Sequence, residues 1–270
     1  MLKDDFREYL KEKPFLYKIA VKFQSLIKLI SKKIGFEFMK LIRRPYFGSY
    51  LCARQIWPDR YPVMRKLIDQ ELKMGDSSYK VLEIGSWAGQ SAILWASVCK
   101  EKKKGMVFLI DTWRAADNSP EIMKRAVEKN KIFKLFLHNI EKSGVKDYIV
   151  PIKGSSDIVV EILKPEIFDF VYIDGDHSYN QFKKDLLNYM KVVKVDGILC
   201  GDDLELHPNE IDSLNAKEHC GDDFILDPKS KKYFHPGITL GINEVFGDVS
   251  MENGFWAMRK VKDGWKTVDL

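Results

Sequence analysis

Residues 81–96, VLEIGSWAGQSAILWA, decide the architecture. Val81 to Ile84 is a short apolar run, Gly85 to Gly89 a tight loop, and Gln90 to Lys100 reads as helix. A strand that passes through a glycine turn straight into a helix opens a βα unit, and the same cadence recurs downstream. Val107 to Ile110 is a second strand, stopped by Asp111; Ser119 to Ser143 carries helix; Ile149-Val150-Pro151-Ile152 is a third strand whose proline marks a sheet edge. Asp157 to Leu163 is a helical crossover, Phe170 to Ile173 a fourth strand, Tyr179 to Val193 a helix and Gly197 to Cys200 a fifth strand. Alternation of this kind predicts an α/β chain, a Rossmann-like, doubly wound and mostly parallel sheet covered on both faces. The tail GFWAMRKVKDGWKTVDL, residues 254–270, adds two strands closing an antiparallel edge, for seven in all. A helix is expected around Tyr61 to Lys73, and residues 201–223 read as loop and short helix.

From about Lys11 to Lys40, the residues Phe15, Ile19, Phe23, Leu26, Ile27, Ile30 and Ile34 recur at steps of three and four. Lys18, Lys22, Lys28, Lys32 and Lys33 stand between them. This is an amphipathic helix, bent near Gly35, whose apolar side is expected to pack on the body of the protein or on a second subunit rather than on a membrane surface. The chain therefore divides into an N-terminal helical extension, 1–75, for oligomerisation or as a substrate lid, and an α/β domain, 76–270.

With 270 residues, 45% of them hydrophobic, the chain can bury a large core. A net charge of +5 with scattered lysines gives no basic patch for nucleic acid. Cys52, Cys99, Cys200 and Cys220 lack metal-ribbon spacing and suit a reducing compartment. No apolar run approaches membrane-spanning length, and Lys3-Asp4-Asp5 stands where a secretory peptide needs an apolar core, so a cytoplasmic protein is expected.

The loop after the first strand narrows the ligand. The dinucleotide fingerprint is absent, because bulky Trp87 stands where the middle glycine should be, and no phosphate-binding P-loop occurs. Asp111 follows Gly85 by 26 positions, close to the interval at which a carboxylate meets ribose hydroxyls. The implied ligand is a ribose without a pyrophosphate, and Glu83 offers an acceptor for an ammonium group.

A second concentration of charge lies in FDFVYIDGDHSYNQFKKDL, residues 168–186. Asp174 and Asp176 leave the fourth strand, and Asp202 and Asp203 leave the fifth, its neighbour in such a sheet. Like charges that close raise at least one pKa unless a counter-ion arrives, so a divalent cation is expected. An all-oxygen set suits Mg2+, with Mn2+ or Ca2+ able to substitute. His177, with an ordinary pKa of about 6.5, is the candidate general base, and Asp174 competes for that role. His207, His219 and His235 are expected to shape a lid or the surface, and His138 to be structural.

These motifs, with FLIDTW, IKGSSDIV and VDGILCGDDL, arrive in an order that resembles class I S-adenosylmethionine-dependent methyltransferases, and more narrowly the metal-dependent macrocin-type sugar O-methyltransferases. The resemblance covers about Ser78 to Leu204, with a weaker echo at GITLGINEVFG, residues 237–247. It implies that Glu83, Gly85, Ser86 and Gly89 line the methionine part of the cofactor, with Ser91 beside them. Asp111 would hold the ribose, and Ser155 and Ser156 the adenine side. It assigns the metal to Asp174, Asp202 and Asp203, the last being Asn in some relatives, and leaves Asp176 to a water-mediated or supporting place.

The expected activity is a metal-assisted O-methylation of a hydroxylated small molecule, a sugar or glycosylated natural product, by a homo-oligomer. The competing readings are a metal-independent N-methyltransferase and a non-catalytic, cofactor-binding assembly protein. Acceptor specificity is expected in residues 43–61, where Tyr50 and Arg54 could reach the site, and in residues 204–240.

Overall fold

A computed structural model of the chain describes residues 14–48, 58–75, 77–115 and 121–270. Tyr50, Arg54 and Cys52 lie outside the described residues. The elements are helix α1 (Pro14–Leu41), α2 (Arg60–Met74), strand β1 (Lys80–Ile84), α3 (Gln90–Lys102), β2 (Met106–Asp111), α4 (Glu121–Val127), α5 (Lys131–Lys142), β3 (Ile149–Lys153), α6 (Ser156–Val159) and β4 (Phe168–Ile173). Then follow α7 (Tyr179–Tyr189), β5 (Val193–Gly201), α8 (Ser213–Glu218), β6 (Ile225–Leu226), β7 (Tyr233–Phe234), α9 (Pro236–Val245), β8 (Ser250–Glu252), β9 (Phe255–Val261) and β10 (Gly264–Thr267).

The main sheet runs β10-β9-β5-β4-β1-β2-β3, with β8 added alongside β9. The pairs among β1 to β5 are parallel, and β9 joins β5 and β10 antiparallel, which is the predicted mostly parallel sheet with an antiparallel C-terminal edge. Strand β3, with Pro151, takes the far edge. Because β1 lies between β2 and β4, the chain order reverses at the carboxyl end of β1, where a ligand crevice forms in open α/β sheets.

Alternation along the strands assigns the two faces. Val81, Val107, Phe170 and Ile198 share a buried cluster with Leu67 and Met64 of α2, Trp95 of α3 and Phe136 of α5. Leu82, Val171 and Leu199 face the other side, against Phe182 and Leu186 of α7 and Ile242 of α9. Helix α2 belongs to the main core, so part of the segment assigned to an N-terminal extension packs as an integral layer of the α/β unit. Residues 204–234 carry a small core of their own, Leu206, Ile211, Ala216 and Phe234, beneath the β6–β7 ribbon.

Other expectations change in detail. The helix expected over Ser119–Ser143 is interrupted at Lys129 and Asn130, whose φ of 53° and 57° separates α4 from α5. Strand β5 is longer than expected, and β8 makes the sheet eight-stranded. Helix α1 runs unbroken through Gly35. Among the described side chains its apolar stripe is exposed, Phe23 at 62% and Ile34 at 64%, while Phe36 and Met39 reach the core; Phe15 and Ile19 lie outside the described side chains. No helix among the described residues is long and apolar enough to cross a membrane.

Two positions of β1 and its loop constrain everything above them. Gly85 adopts φ +86°, and a Cβ there would lie 1.9 Å from the Asp174 carbonyl oxygen, so the glycine turn sits directly on the loop after β4. Glu83 is fully buried among apolar side chains, with Ser91 Oγ donating to its Oε1 at 2.9 Å. Burial pushes its pKa from 4.5 up to about 8, so near neutral pH it is a protonated carboxyl within the sheet.

A Gly85→Ala substitution is expected to destabilise the fold by about 3 kcal/mol or more, read by urea denaturation, because a left-handed backbone and a backbone overlap both oppose the new methyl. For Glu83 the folded form binds the proton more tightly than the unfolded chain. Stability should therefore fall as pH rises from about 4.5 to about 8, by up to roughly 1.4 kcal/mol per unit. Glu83→Gln removes that slope in pH-dependent denaturation, and an unchanged slope would show that the carboxyl titrates normally.

Candidate active site

The glycine loop is held open by the residue expected to hold a ribose. Asp111 Oδ2 accepts from the backbone N–H of Ser86 at 2.9 Å and of Trp87 at 2.8 Å, and its Oδ1 accepts from Trp113 N at 2.5 Å. The indole of Trp113 closes the turn by donating to the Trp87 carbonyl at 2.9 Å. Asp111 thus braces the loop that would carry the cofactor. Burial raises its pKa, and these backbone donors oppose that rise.

Gly89 (φ +85°) starts α3 and rests against the Phe136 ring, while Ser86 and Ser91 are buried below the loop. Glu83 lies beneath it too, bonded to Ser91 rather than presented to the rim. Ser155 and Ser156 follow β3 on the same rim. Gly154 N–H donates to the Asp111 carbonyl at 3.0 Å, and the Ser156 carbonyl accepts from Tyr189 Oη at 2.8 Å.

On the β4–β5 side the acids gather as expected, with partners the sequence did not announce. Tyr172 Oη donates toward Asp174 Oδ2 at 3.3 Å and Asp202 Oδ2 at 3.5 Å. His177 Nε2 lies 3.3 Å from Asp203 Oδ2 and 3.7 Å from Asp174 Oδ1, and its Nδ1 lies 2.7 Å from Asp223 Oδ1. Asp176 instead turns outward and caps its own turn, accepting from Ser178 N at 2.8 Å.

The counter-charge is a guanidinium. Arg60, at the first turn of α2, donates through Nη1 to Asp202 Oδ1 at 2.5 Å and Asp203 Oδ1 at 2.7 Å. Its Nη2 reaches Glu205 Oε1 at 3.1 Å and its Nε the Asn253 carbonyl at 2.7 Å. Burial alone would lower the pKa of Arg60, but Asp202 and Asp203 outweigh it and keep the group charged. Glu205 also accepts from the His235 backbone N–H at 3.2 Å and pairs with His235 Nδ1 at 3.1 Å. His235, expected at a lid or surface, therefore belongs to the cluster, with its ring 4.7 Å from that of His177.

Charge sets the protonation pattern. Burial and the neighbouring Asp203 raise the pKa of Asp202 well above the carboxylate range. Burial also raises Asp174, against the pull of His177. Burial would raise Asp203, but His177, His235 and Arg60 hold it low. Burial would lower His177, yet the neighbouring carboxylates Asp174 and Asp223 raise it well above the usual imidazole range.

The net negative charge suits a divalent cation, and a guanidinium stands among the aspartates to which the resemblance assigns one. Arg60 holds one oxygen each of Asp202 and Asp203, supplying much of the neutralisation that the sequence argument assigned to a metal. Among the described residues, the potential ligands whose donor atoms all fall within 4.8 Å of one another are His177, Asp203 and His235. Of the other histidines, His219 pairs with Asp222 at 2.7 Å, and His138 Nε2 meets the Arg44 carbonyl at 3.0 Å.

Arg60 had no signal in the sequence, since nothing marks the first residue of a surface-patterned helix as a partner for strand tips far along the chain. His235 had one: it stands two residues before the segment that echoes the C-terminal part of the resembled enzymes. Arg60→Met should destabilise the protein by about 3–5 kcal/mol, because it strands buried carboxylates, and Asp202→Asn in the same chain should recover part of that loss. Denaturant titration of the single and double variants measures both.

Residues 82–204 match the family model described as a methyltransferase domain. The O-methyltransferase NovP shares the fold at a TM-score of 0.51, with 13% identity over 76% of this chain and 80% of that one. Weaker likenesses include the O-methyltransferase TomG from Streptomyces achromogenes, solved with S-adenosylmethionine, at TM-score 0.49 and 12% identity over 85% and 96% of the two chains. Cofactor-bound Rv0187 from MTB gives TM-score 0.49 and 16% identity over 80% of each chain. Such identities bear on the fold alone. Residues 82–204 are thus similar to a methyltransferase domain, and the sheet order with the glycine turn at its switch point is the fold shared with NovP.

Proposed function

We propose that the chain transfers a methyl group from S-adenosylmethionine to a hydroxyl of a small molecule, with assistance from a divalent cation. The observation that carries the reading is the contact of the two half-sites: Gly85 of the cofactor loop lies against the backbone of Asp174, the residue that begins the acid and histidine cluster. A donor on the loop and an acceptor on the cluster would therefore be neighbours. Bound cofactor supplies an electrophilic methyl on a sulfonium.

What this chain supplies is position and proton transfer. The Gly85–Gly89 turn, braced by Asp111, offers backbone to the amino-acid part of the donor, with Ser86, Ser91 and Glu83 behind it. The Asp111 carboxylate would turn toward the ribose only by releasing some of the N–H groups it now holds. Ser155 and Ser156 stand on the side proposed for the adenine.

A neutral hydroxyl is a poor nucleophile, and the titratable groups around His177 are what an O-methylation requires and an amine acceptor does not. The acceptor O–H proton passes to the His177–Asp174 pair as the O–CH3 bond forms and the S–CH3 bond breaks. While its neighbours keep His177 charged, Asp174 is the member able to accept. Once His177 is neutral, its Nε2 can do so. A divalent cation would orient the hydroxyl and lower its pKa. Its support is the excess of carboxylate over the charge of Arg60, and Asp174, Asp202 and Asp203 remain the residues that the resemblance proposes for it. A sugar or glycosylated natural product is the proposed class of acceptor.

Calorimetry with S-adenosylmethionine and a turnover assay on a panel of hydroxylated sugars and phenols test this reading. Asp111→Ala should weaken cofactor binding at least about tenfold. Asp174→Asn should leave binding within a factor of about two and lower turnover by about 10²–10⁴-fold. Equal loss of binding in both variants would defeat this division of roles.

A further inference from the structure

We propose that His177, Asp203 and His235 form the seat of a divalent transition-metal ion of the Zn2+, Co2+, Fe2+ or Mn2+ class, in place of an all-oxygen Mg2+ site. The inference rests on the reading of this rim as catalytic only for its use; the seat itself is a matter of geometry. The three donor atoms lie within 4.8 Å of one another. Ligand atoms bound at about 2.0–2.2 Å stand no more than about 4.4 Å apart, so closure asks for shifts of a few tenths of an ångström.

His177 is oriented from behind, meeting Asp223 through Nδ1 at 2.7 Å, while His235 Nδ1 meets Glu205 at 3.1 Å and lies 4.0 Å from Asp203 Oδ1. A carboxylate on one ring nitrogen fixes the ring and makes the imidazole a better donor, which is the usual support of a metal-bound histidine. The opposite nitrogen of His177 faces Asp203 Oδ2 and Asp174 Oδ1. Asp203 is steered in the same way, with Oδ1 on Arg60 and Oδ2 toward His177.

The three ligands come from separate segments that are locked together. Asp203 leaves β5 with φ 63°, a left-handed backbone that this position must hold to turn its carboxylate inward. His235 is the residue before α9, and Gly237 lets that helix start against the loop of His177: a Cβ at 237 would lie 2.2 Å from the His177 carbonyl oxygen. The distance between the two rings is thus set by backbone contact rather than by flexible side chains.

The choice of metal follows from the donors. Mg2+ takes oxygen ligands and keeps octahedral water, whereas two imidazoles with one carboxylate suit first-row transition ions and leave positions open for water or an acceptor hydroxyl. With His177 Nε2 given to the ion, Asp174, 3.7 Å from it, is the member of the pair left to take the acceptor proton.

The test is calorimetry and visible absorption of metal-stripped, untagged protein titrated with Co2+, Zn2+ and Mg2+. The expected result is one Co2+ per chain with a ligand-field spectrum, and Mg2+ binding at least about 100-fold weaker. His177→Ala and His235→Ala should each weaken Co2+ at least about tenfold, and His219→Ala, on the surface pair with Asp222, should not change it. His235→Gln keeps a polar contact to Glu205 and supplies a folded variant should the alanine unfold. Equal affinity for Mg2+ and Co2+, or Co2+ binding unaffected in the His235 variants, overturns the proposal. Cofactor calorimetry on the same samples separates the two readings: Co2+ bound without S-adenosylmethionine binding keeps the seat and removes the methyltransferase function, and methyl transfer with no histidine-dependent Co2+ binding does the reverse.

Discussion

The carboxyl rim of this sheet can exist as folded because one guanidinium stands inside it. Asp202 and Asp203 are consecutive, Asp202 is almost fully buried, and Glu205 and Asp174 are close by. Unscreened, such a group would expel one of its members or take up protons until the charge fell. Arg60 bonds three of these acids and a backbone carbonyl at once, and its planar fork can do so where an ammonium could not. The bonds also orient: each aspartate gives one oxygen to the guanidinium and turns the other toward Tyr172 or His177. What looks like charge compensation is equally a device for aiming carboxylate oxygens.

The two halves of the site are joined in a similar way, by backbone. The cofactor turn rests on the loop of Asp174 through Gly85, and the loop of His177 rests on α9 through Gly237. Neither contact tolerates a side chain. A signal of binding on the β1 loop would therefore reach His177 and His235 through rigid main chain, with little slack for the reacting groups to drift.

Much of the fold was legible because it depends on local pattern. Short apolar strands, glycine turns and intervening helices placed β1 to β5, and Pro151 placed the edge. The site was legible where charge concentrated at strand tips, as with Asp174, Asp202, Asp203 and His177. It was not legible where a role depends on tertiary placement. Arg60 sits in a helix whose sequence shows only amphipathic spacing, and its partners are some 140 residues away. Asp111 was legible as a strand-end acid but not as the brace of the neighbouring loop, since only the folded turn shows where the Ser86 and Trp87 N–H groups point. The stripe on α1 was legible as amphipathic, yet spacing cannot tell whether an apolar side faces the chain's own core, and here most of it does not.

The cation of the rim is encoded upstream of the segment that the family comparison recognises, which begins at residue 82. A transplant of residues 82–204 onto another scaffold would carry the acids without their partner, and the recipient would have to evolve a replacement base of its own at the same spot. Divergence among such proteins should then be paired: drift at the strand tips ought to be answered by drift at the start of the preceding helix, so the boundary of inheritance is wider than the boundary of recognisable likeness.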